Sequence, residues 1–235
     1  MVPILFGPRD SRLFGVFHGA SGAPRAEGIV LCQPIGHEYI RAHRTFRQLA
    51  VQLAKAGFPV IRFDYFGCGD STGSGEDGSV SRWVADVHAA IDELRETSAV
   101  TSVSLVGLRL GASIALMAAA ARPEIRRIVL WDPVLDGRRY LSDLRTLQRR
   151  WLKGRPGSRR FAFHPRVTEL IGFPVPPRLR REIENIAVTD ADRRRAGVHV
   201  LTTDGDWDVP AQVHNGLNAP GIGAQLASVL LEATA

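Results

Sequence analysis

Val103-Ser104-Leu105-Val106, then Gly107-Leu108-Arg109-Leu110-Gly111, then Ala112-Ser113-Ile114-Ala115-Leu116-Met117: this stretch decides the fold. The first four residues form a short apolar run of the kind buried on both faces of a parallel sheet. The segment from Leu110 to Arg122, where Pro123 helps to end it, is apolar nearly all round, which predicts a buried helix. A strand passing into a buried helix through two glycines makes a sharp turn at a strand's carboxyl end. That is where open α/β sheets bind their ligands.

The alternation extends to either side. Short buried runs at Gly28–Cys32, Val60–Phe63, Arg127–Trp131 and Val198–Leu201 read as further parallel strands. Between them, Phe46, Leu49, Ala50 and Leu53 fall at helical spacing before the stop Gly57-Phe58-Pro59, and Trp83, Val84, Val87, Ile91 and Leu94 mark a second helix. Upstream, Val2–Phe6 and Leu13–His18 flank Gly7-Pro8-Arg9-Asp10, the pattern of an antiparallel hairpin. Strand and helix alternating after such a start predict an α/β fold: a mostly parallel sheet with one mixed edge and helices on both faces.

Between residues 137 and 195 the alternation stops. A helical run (Tyr140, Leu141, Leu144, Leu147, Trp151, Leu152), a Gly/Pro/Arg loop and a second helix near Pro177–Ile186 predict an insertion over the sheet. Alternation resumes at Val198 and ends in an amphipathic helix, Ala224–Glu232. The expected organisation is a core of residues 1–136 and 196–235 with a basic helical cap at 137–195. The formal charge of +6 is concentrated there: residues 138–195 hold fifteen Arg and Lys153 against six acidic residues, a net +10 that leaves −4 elsewhere. Such asymmetry suits an anionic ligand or an acidic carrier protein. The plainer reading is a solvated face paired in part by Glu182, Glu184, Asp190 and Asp192. No nucleic-acid reader motif accompanies the charge, so no nucleic-acid partner is expected.

Length and composition narrow the classes further. A chain of 235 residues favours one core, and 45% hydrophobic with 23% charged residues excludes a disordered or collagen-like chain. No apolar run is long enough to span a membrane, and Met1–Gly7 lacks the basic start and long apolar stretch of a signal peptide. Two cysteines, Cys32 and Cys68, make neither a disulfide framework nor a zinc pattern, so a cytoplasmic location is expected. Gly67-Cys68-Gly69-Asp70-Ser71-Thr72-Gly73 fits neither a dinucleotide fingerprint nor a P-loop, and Asp204-Gly205-Asp206-Trp207-Asp208 departs from a calcium loop at Val209 and Asn215. No cofactor and no metal are expected.

Gly107-Leu108-Arg109-Leu110-Gly111 has the spacing and context of the G-x-S-x-G nucleophile elbow, with arginine in the serine's place. A guanidinium stays protonated and cannot be activated as a nucleophile. Two readings of Arg109 stand side by side: a structural ion pair, with Glu38 as a candidate partner, or recognition of an anionic group with help from the free helix N–H groups. Cys32, Cys68 and Ser113 are the other nucleophiles near these turns; Cys68 reads as sitting in an exposed turn and Ser113 as facing the interior.

Three segments together carry a family likeness. Gln33-Pro34-Ile35-Gly36-His37-Glu38-Tyr39-Ile40-Arg41, Phe63-Asp64-Tyr65-Phe66-Gly67-Cys68-Gly69-Asp70-Ser71 and Gly107–Gly111 resemble the α/β-hydrolase superfamily, specifically the serine aminopeptidase-like and exosortase A system-associated hydrolases. Members of that group also show a P-x-G-x-E-x-x-R loop, an R-F-D-Y-x-G-x-G-D-S turn and a G-L-R-L-G elbow, and the likeness covers roughly residues 26–190. Within the cap, Trp131–Leu141 and Leu170–Pro174 resemble it too. The resemblance implies a hydrolase fold and a hydrolase label; it does not supply the missing serine.

The remaining triad positions follow chain order, with Asp204 or Asp206 after the late strand and then His214, although only ten positions separate Asp204 from His214. Hydrolysis at this turn needs water as the nucleophile, with His37, Glu38 or His214 as base. Gln33, Gly36, Arg41 and the amide of Leu110 complete the expected substrate-binding set. The expected function is action on, or binding of, a small acyl ester, thioester or amide with Arg109 holding an anionic group. The alternative is an inactive binding or scaffold protein on the same fold.

Overall fold

The computed structural model describes residues 1–153, 169–203, 207 and 222–232. Seven strands form one sheet: β1 (Val2–Phe6), β2 (Leu13–His18), β3 (Glu27–Cys32), β4 (Val60–Phe63), β5 (Ser102–Leu108), β6 (Ile125–Trp131) and β9 (Val198–Leu201). Their order is β1-β2-β4-β3-β5-β6-β9. β1 and β2 pair antiparallel, β2 meets β4 antiparallel, and every later neighbour is parallel. This is the expected parallel sheet with one mixed edge.

The central strands are apolar without a break because both faces are covered. Val103 and Leu105 of β5, with Ile128 and Leu130 of β6, pack beneath α2 (Val80–Ser98) and α3 (Leu110–Ala119). Val106, Leu108, Val129 and Trp131 face the other way, toward Phe46, Leu49 and Leu53 of α1 (Gly36–Lys55) and Leu226 and Leu230 of the last helix (Ile222–Glu232). Helix α3 stops short of the expected Arg122. Arg122 precedes Pro123, whose ring disfavours helical backbone in the residue before it.

Between β6 and β9 the chain builds α4 (Gly137–Leu152), a two-strand hairpin of β7 (Glu169–Leu170) and β8 (Phe173–Pro174), α5 (Pro177–Glu184) and the short α6 (Asp190–Arg193). The final helix is therefore α7. Tyr140, Leu141, Leu179 and Ile183 bury their side chains in the same core as α2 and α3. The Gly/Pro/Arg loop lies outside the described residues.

At the amino ends of the central strands a polar cluster sits in the core. Arg127 pairs with Glu27, which also accepts from the Ser104 hydroxyl, and all three are almost fully buried. Arg127 Nη1 reaches on to the carbonyl of Leu230 at 2.7 Å, tying α7 to the sheet.

Candidate functional site

Two glycines allow the β5–α3 turn. A Cβ at Gly107 would stand 2.5 Å from Ala112 Cα, and one at Gly111 would stand 2.3 Å from the carbonyl oxygen of Gln33. The start of α3 therefore lies directly on the loop that follows β3. Between the glycines, Arg109 takes φ 54°, ψ −123°, outside the regions an L-residue favours. Such backbone costs on the order of 1–3 kcal/mol. It is held by three bonds: Arg109 N donates to Trp131 O (3.0 Å), and Arg109 O accepts from Ala112 N (3.1 Å) and Val134 N (3.3 Å).

The guanidinium has an internal counter-ion. Arg109 Nε donates to Glu38 Oε1 at 2.9 Å, and Arg109 Nη1 donates to the Asp132 carbonyl at 3.4 Å. Its carbon lies 5.6 Å from the Tyr140 ring centre and 5.1 Å from that of Trp207. The Tyr140 hydroxyl donates to the other carboxylate oxygen, Glu38 Oε2, at 3.0 Å. Burial works against the arginine's charge, but Glu38 above all, then Tyr140 and Asp132, hold its pKa above the ordinary value. Burial first, and then Glu38, push the Tyr140 phenol well up.

His37 stands one residue before that carboxylate and is also buried, with Nε2 lacking a partner among the described residues. Burial, with smaller contributions from Arg41 and Arg109 against an opposing Glu38, lowers its pKa and keeps the ring neutral at pH 7. Gln33 donates through Nε2 to Phe63 O (2.6 Å) and Asp64 Oδ1 (3.3 Å), and Tyr39 donates to the same carboxylate oxygen at 2.8 Å. Gly36 has φ 60°, Leu110 is fully buried, and the Arg41 guanidinium lies 5.4 Å from the Trp207 ring centre.

Beside this cluster, under α4 and the β7–β8 hairpin, is a cavity of about 280 Å³. Phe63, Trp83, Leu144, Phe173, Val175 and Leu179 give it apolar walls; Gln33, His37, Tyr39 and Asp64 line its polar end. Tyr140 is shared, because its ring also lines the cavity. Arg109 and Glu38 are not among the lining residues.

The structure thus brings Arg109, His37, Glu38, Gln33, Gly36, Leu110 and Arg41 to the ends of neighbouring strands, while Asp204 and His214 lie outside the described residues. Ser113 faces inward as expected, its hydroxyl donating to Val134 O at 2.7 Å. Cys68 departs from the exposed turn expected for it: it lines the cavity, where burial pushes its thiol up to about 12, and the same cause puts Cys32 at about 12. Neither thiol is a ready nucleophile.

Sequence reasoning missed several residues, Tyr39 and Asp64 of the cavity lining among them. Asp132 accepts from Thr203 N (2.8 Å), the Thr203 hydroxyl and Trp207 Nε1 (3.2 Å). It follows β6 directly, so the strand-end rule that singled out Arg109 could have found it. Tyr140 and Trp207 come from distant segments and carry no local signal. Among the described residues no three His, Cys, Asp or Glu side chains converge as a metal site, and no helix is long and apolar enough to cross a membrane.

A mostly parallel sheet wrapped by helices, with a glycine-bounded strand–turn–helix at its centre, defines a member of the α/β-hydrolase superfamily. Within it, residues 27–168 match the model of the family described as serine aminopeptidase, S33, and the chain belongs to that family. The mitochondrial palmitoyl-protein thioesterase ABHD10 of Homo sapiens is 43% identical over 68 residues, 29% of this chain and 21% of that protein. The match thus spans about a fifth of the length of that relative. Among solved structures, Est1E of Butyrivibrio proteoclasticus with bound ferulic acid superposes with a TM-score of 0.67 at 15% identity, covering 97% of this chain and 98% of that one. The bottromycin epimerase BotH in complex with bottromycin A2 gives 0.60 at 18% identity, covering 98% and 100%. These two likenesses show the fold.

Proposed function

We propose that this protein binds the acyl part of an ester, thioester or amide in the cavity beneath α4, with residues 137–195 as its cap, and forms no acyl-enzyme at the β5–α3 turn. The observation that carries the reading is the state of Arg109: a residue that cannot be a nucleophile, with its charge answered by a buried carboxylate, next to an intact apolar cavity. Glu38 already answers the Arg109 charge through Nε, and Arg109 does not line the cavity, so the acyl group itself is taken as the recognised part. The thioesterase name of the short-range relative supports the same ligand class. On this reading the amides of Leu110 and Gly111, at the amino end of α3, would orient the carbonyl oxygen of a ligand that reaches the turn.

A second reading rests on His37, a neutral imidazole in the cavity wall with Nε2 unpartnered among the described residues. It would activate water against a bound acyl group.

Thermal stabilisation by short- to long-chain acyl thioesters, run beside p-nitrophenyl ester hydrolysis, separates the two. The first reading expects stabilisation that grows with chain length and no burst of product. Turnover abolished by His37→Ala would establish the second; absence of stabilisation by every acyl ligand would overturn the first.

A further inference from the structure

Helix α4 has two contrasting sides. Tyr140, Leu141 and Leu147 are buried, and Tyr140 and Leu144 line the cavity. The outer side carries Arg138, Arg145, Arg149 and, at its end, Lys153, spaced by seven, four and four residues, which puts them on one stripe. Arg139 and Arg150 run alongside, and all six are exposed. The stripe extends for about 22 Å at the helical rise.

The chain neutralises these charges weakly. Arg139 approaches Asp143 at 3.9 Å and Arg145 approaches Glu184 at 4.0 Å, both pairs open to solvent. Exposed pairs of this kind contribute about 0–1 kcal/mol. Arg149 donates to the Thr146 hydroxyl, and among the described residues no carboxylate lies within 4.0 Å of Arg138, Arg149, Arg150 or Lys153. The helix dipole favours Arg149 and Arg150, which stand at the carboxyl end. Arg138 and Arg139 stand in the first turn, where the dipole alone disfavours them, and Asp136 caps that end, its carboxylate accepting from Arg139 N at 2.9 Å.

Resting on the reading that the cavity takes an acyl group, we infer that the outer face of α4 docks an acidic carrier protein that presents the acyl group as a thioester. Charge complementarity sets the partner's sign. The position of the stripe sets its kind: the helix that would receive the carrier is itself part of the cavity wall, so the acyl arm has only to round one helix, about 10 Å across, to reach the cavity. Nucleic acid would meet the same charges with no acyl group to deliver, and an anionic bilayer holds its acyl chains below the headgroups, where only an inserted apolar face reaches them. On α4, Tyr140, Leu141 and Leu144 pack into the core, and Trp151 alone of its large apolar residues is exposed, too little for insertion into lipid.

The test is binding of the full chain to a purified acidic acyl carrier protein bearing an octanoyl amide in place of the thioester, at low and high salt. The free octanoyl arm, duplex DNA and phosphatidylglycerol vesicles are titrated in parallel. Reversal of three charges (Arg138→Glu, Arg149→Glu and Lys153→Glu) is expected to weaken carrier binding by about tenfold or more, as loss of complementary charge does at other interfaces. The neutral set Arg138→Gln, Arg149→Gln and Lys153→Gln should weaken it less, and neither set should change affinity for the free arm. Unchanged carrier binding in the reversed protein, no carrier binding at all, or DNA or vesicles binding as tightly as the carrier would each overturn the inference. If the free arm fails to bind, the cavity reading falls as well; if the arm binds and the carrier does not, only the docking surface falls.

Discussion

Replacing Arg109 by methionine keeps a side chain of similar length at the turn but strips Glu38 of its counter-ion. Glu38 is 1% exposed, and its remaining partner among the described residues is the Tyr140 hydroxyl at 3.0 Å. Breaking a buried ion pair from one side costs about 3–5 kcal/mol, because a desolvated charge is left behind. Loss of the guanidinium from between the Tyr140 and Trp207 rings adds about 0.5–1 kcal/mol for each contact. The backbone strain at position 109 is unchanged, since methionine also has a Cβ. In a domain of this size the sum corresponds to a melting temperature lower by on the order of 10 °C. Glu38→Gln alone should also destabilise, by exposing the arginine's need for an anion. The double variant Arg109→Met with Glu38→Gln should lose less than the two singles together, with a coupling of about 2 kcal/mol. Urea unfolding of the four proteins measures the cycle. A cost for Arg109→Met under about 1 kcal/mol, or a coupling within error of zero, would refute the claim that the pair organises this site.

Three further outcomes are expected. Gly111→Ala brings a methyl group to 2.3 Å and 2.4 Å from the carbonyl oxygens of Gln33 and Cys32. Melting curves should show a loss of about 3 kcal/mol or failure to fold, since backbone on both sides cannot yield. Arg127→Met leaves Glu27 buried without its partner and removes the 2.7 Å bond to Leu230 O, so α7 should be cut earlier in limited proteolysis; an unchanged cleavage pattern would count against that tie. His18 is buried, and burial, then Arg62, lower its pKa from 6.5 to about 4. The unfolded chain therefore binds the extra proton first, so stability should fall as pH drops from about 6.5 to about 4, and His18→Gln should flatten that part of the profile.

The fold was legible because its signals are local. Val60–Phe63 and Val198–Leu201 coincide with the expected runs, and the antiparallel hairpin at Val2–Phe6 and Leu13–His18 does too. Residues that must be apolar on both faces, or glycine at a close approach, announce themselves within a few positions of chain. The β7–β8 hairpin did not, because two-residue strands carry no periodicity. The site was legible only around the turns that leave β3 and β5, where Glu38 and Arg109 lie. Of the two readings of Arg109, the structure supplies the carboxylate of the ion pair, whereas the contribution of Tyr140 depends on how an inserted helix lies over the sheet. Spacing along the chain does not encode that.

The tie between Arg109 and Glu38 also restricts how this position can change over generations. A change to serine at 109, taken alone, strands a buried carboxylate beside a phenol; loss of Glu38, taken alone, strands a guanidinium beside two aromatic rings. Each first step meets a stability penalty before any second step can relieve it. Arginine here works as a ratchet: descendants of this sequence reach a hydroxyl nucleophile at the turn only by altering two distant codons together, with Tyr140 left to find a new acceptor.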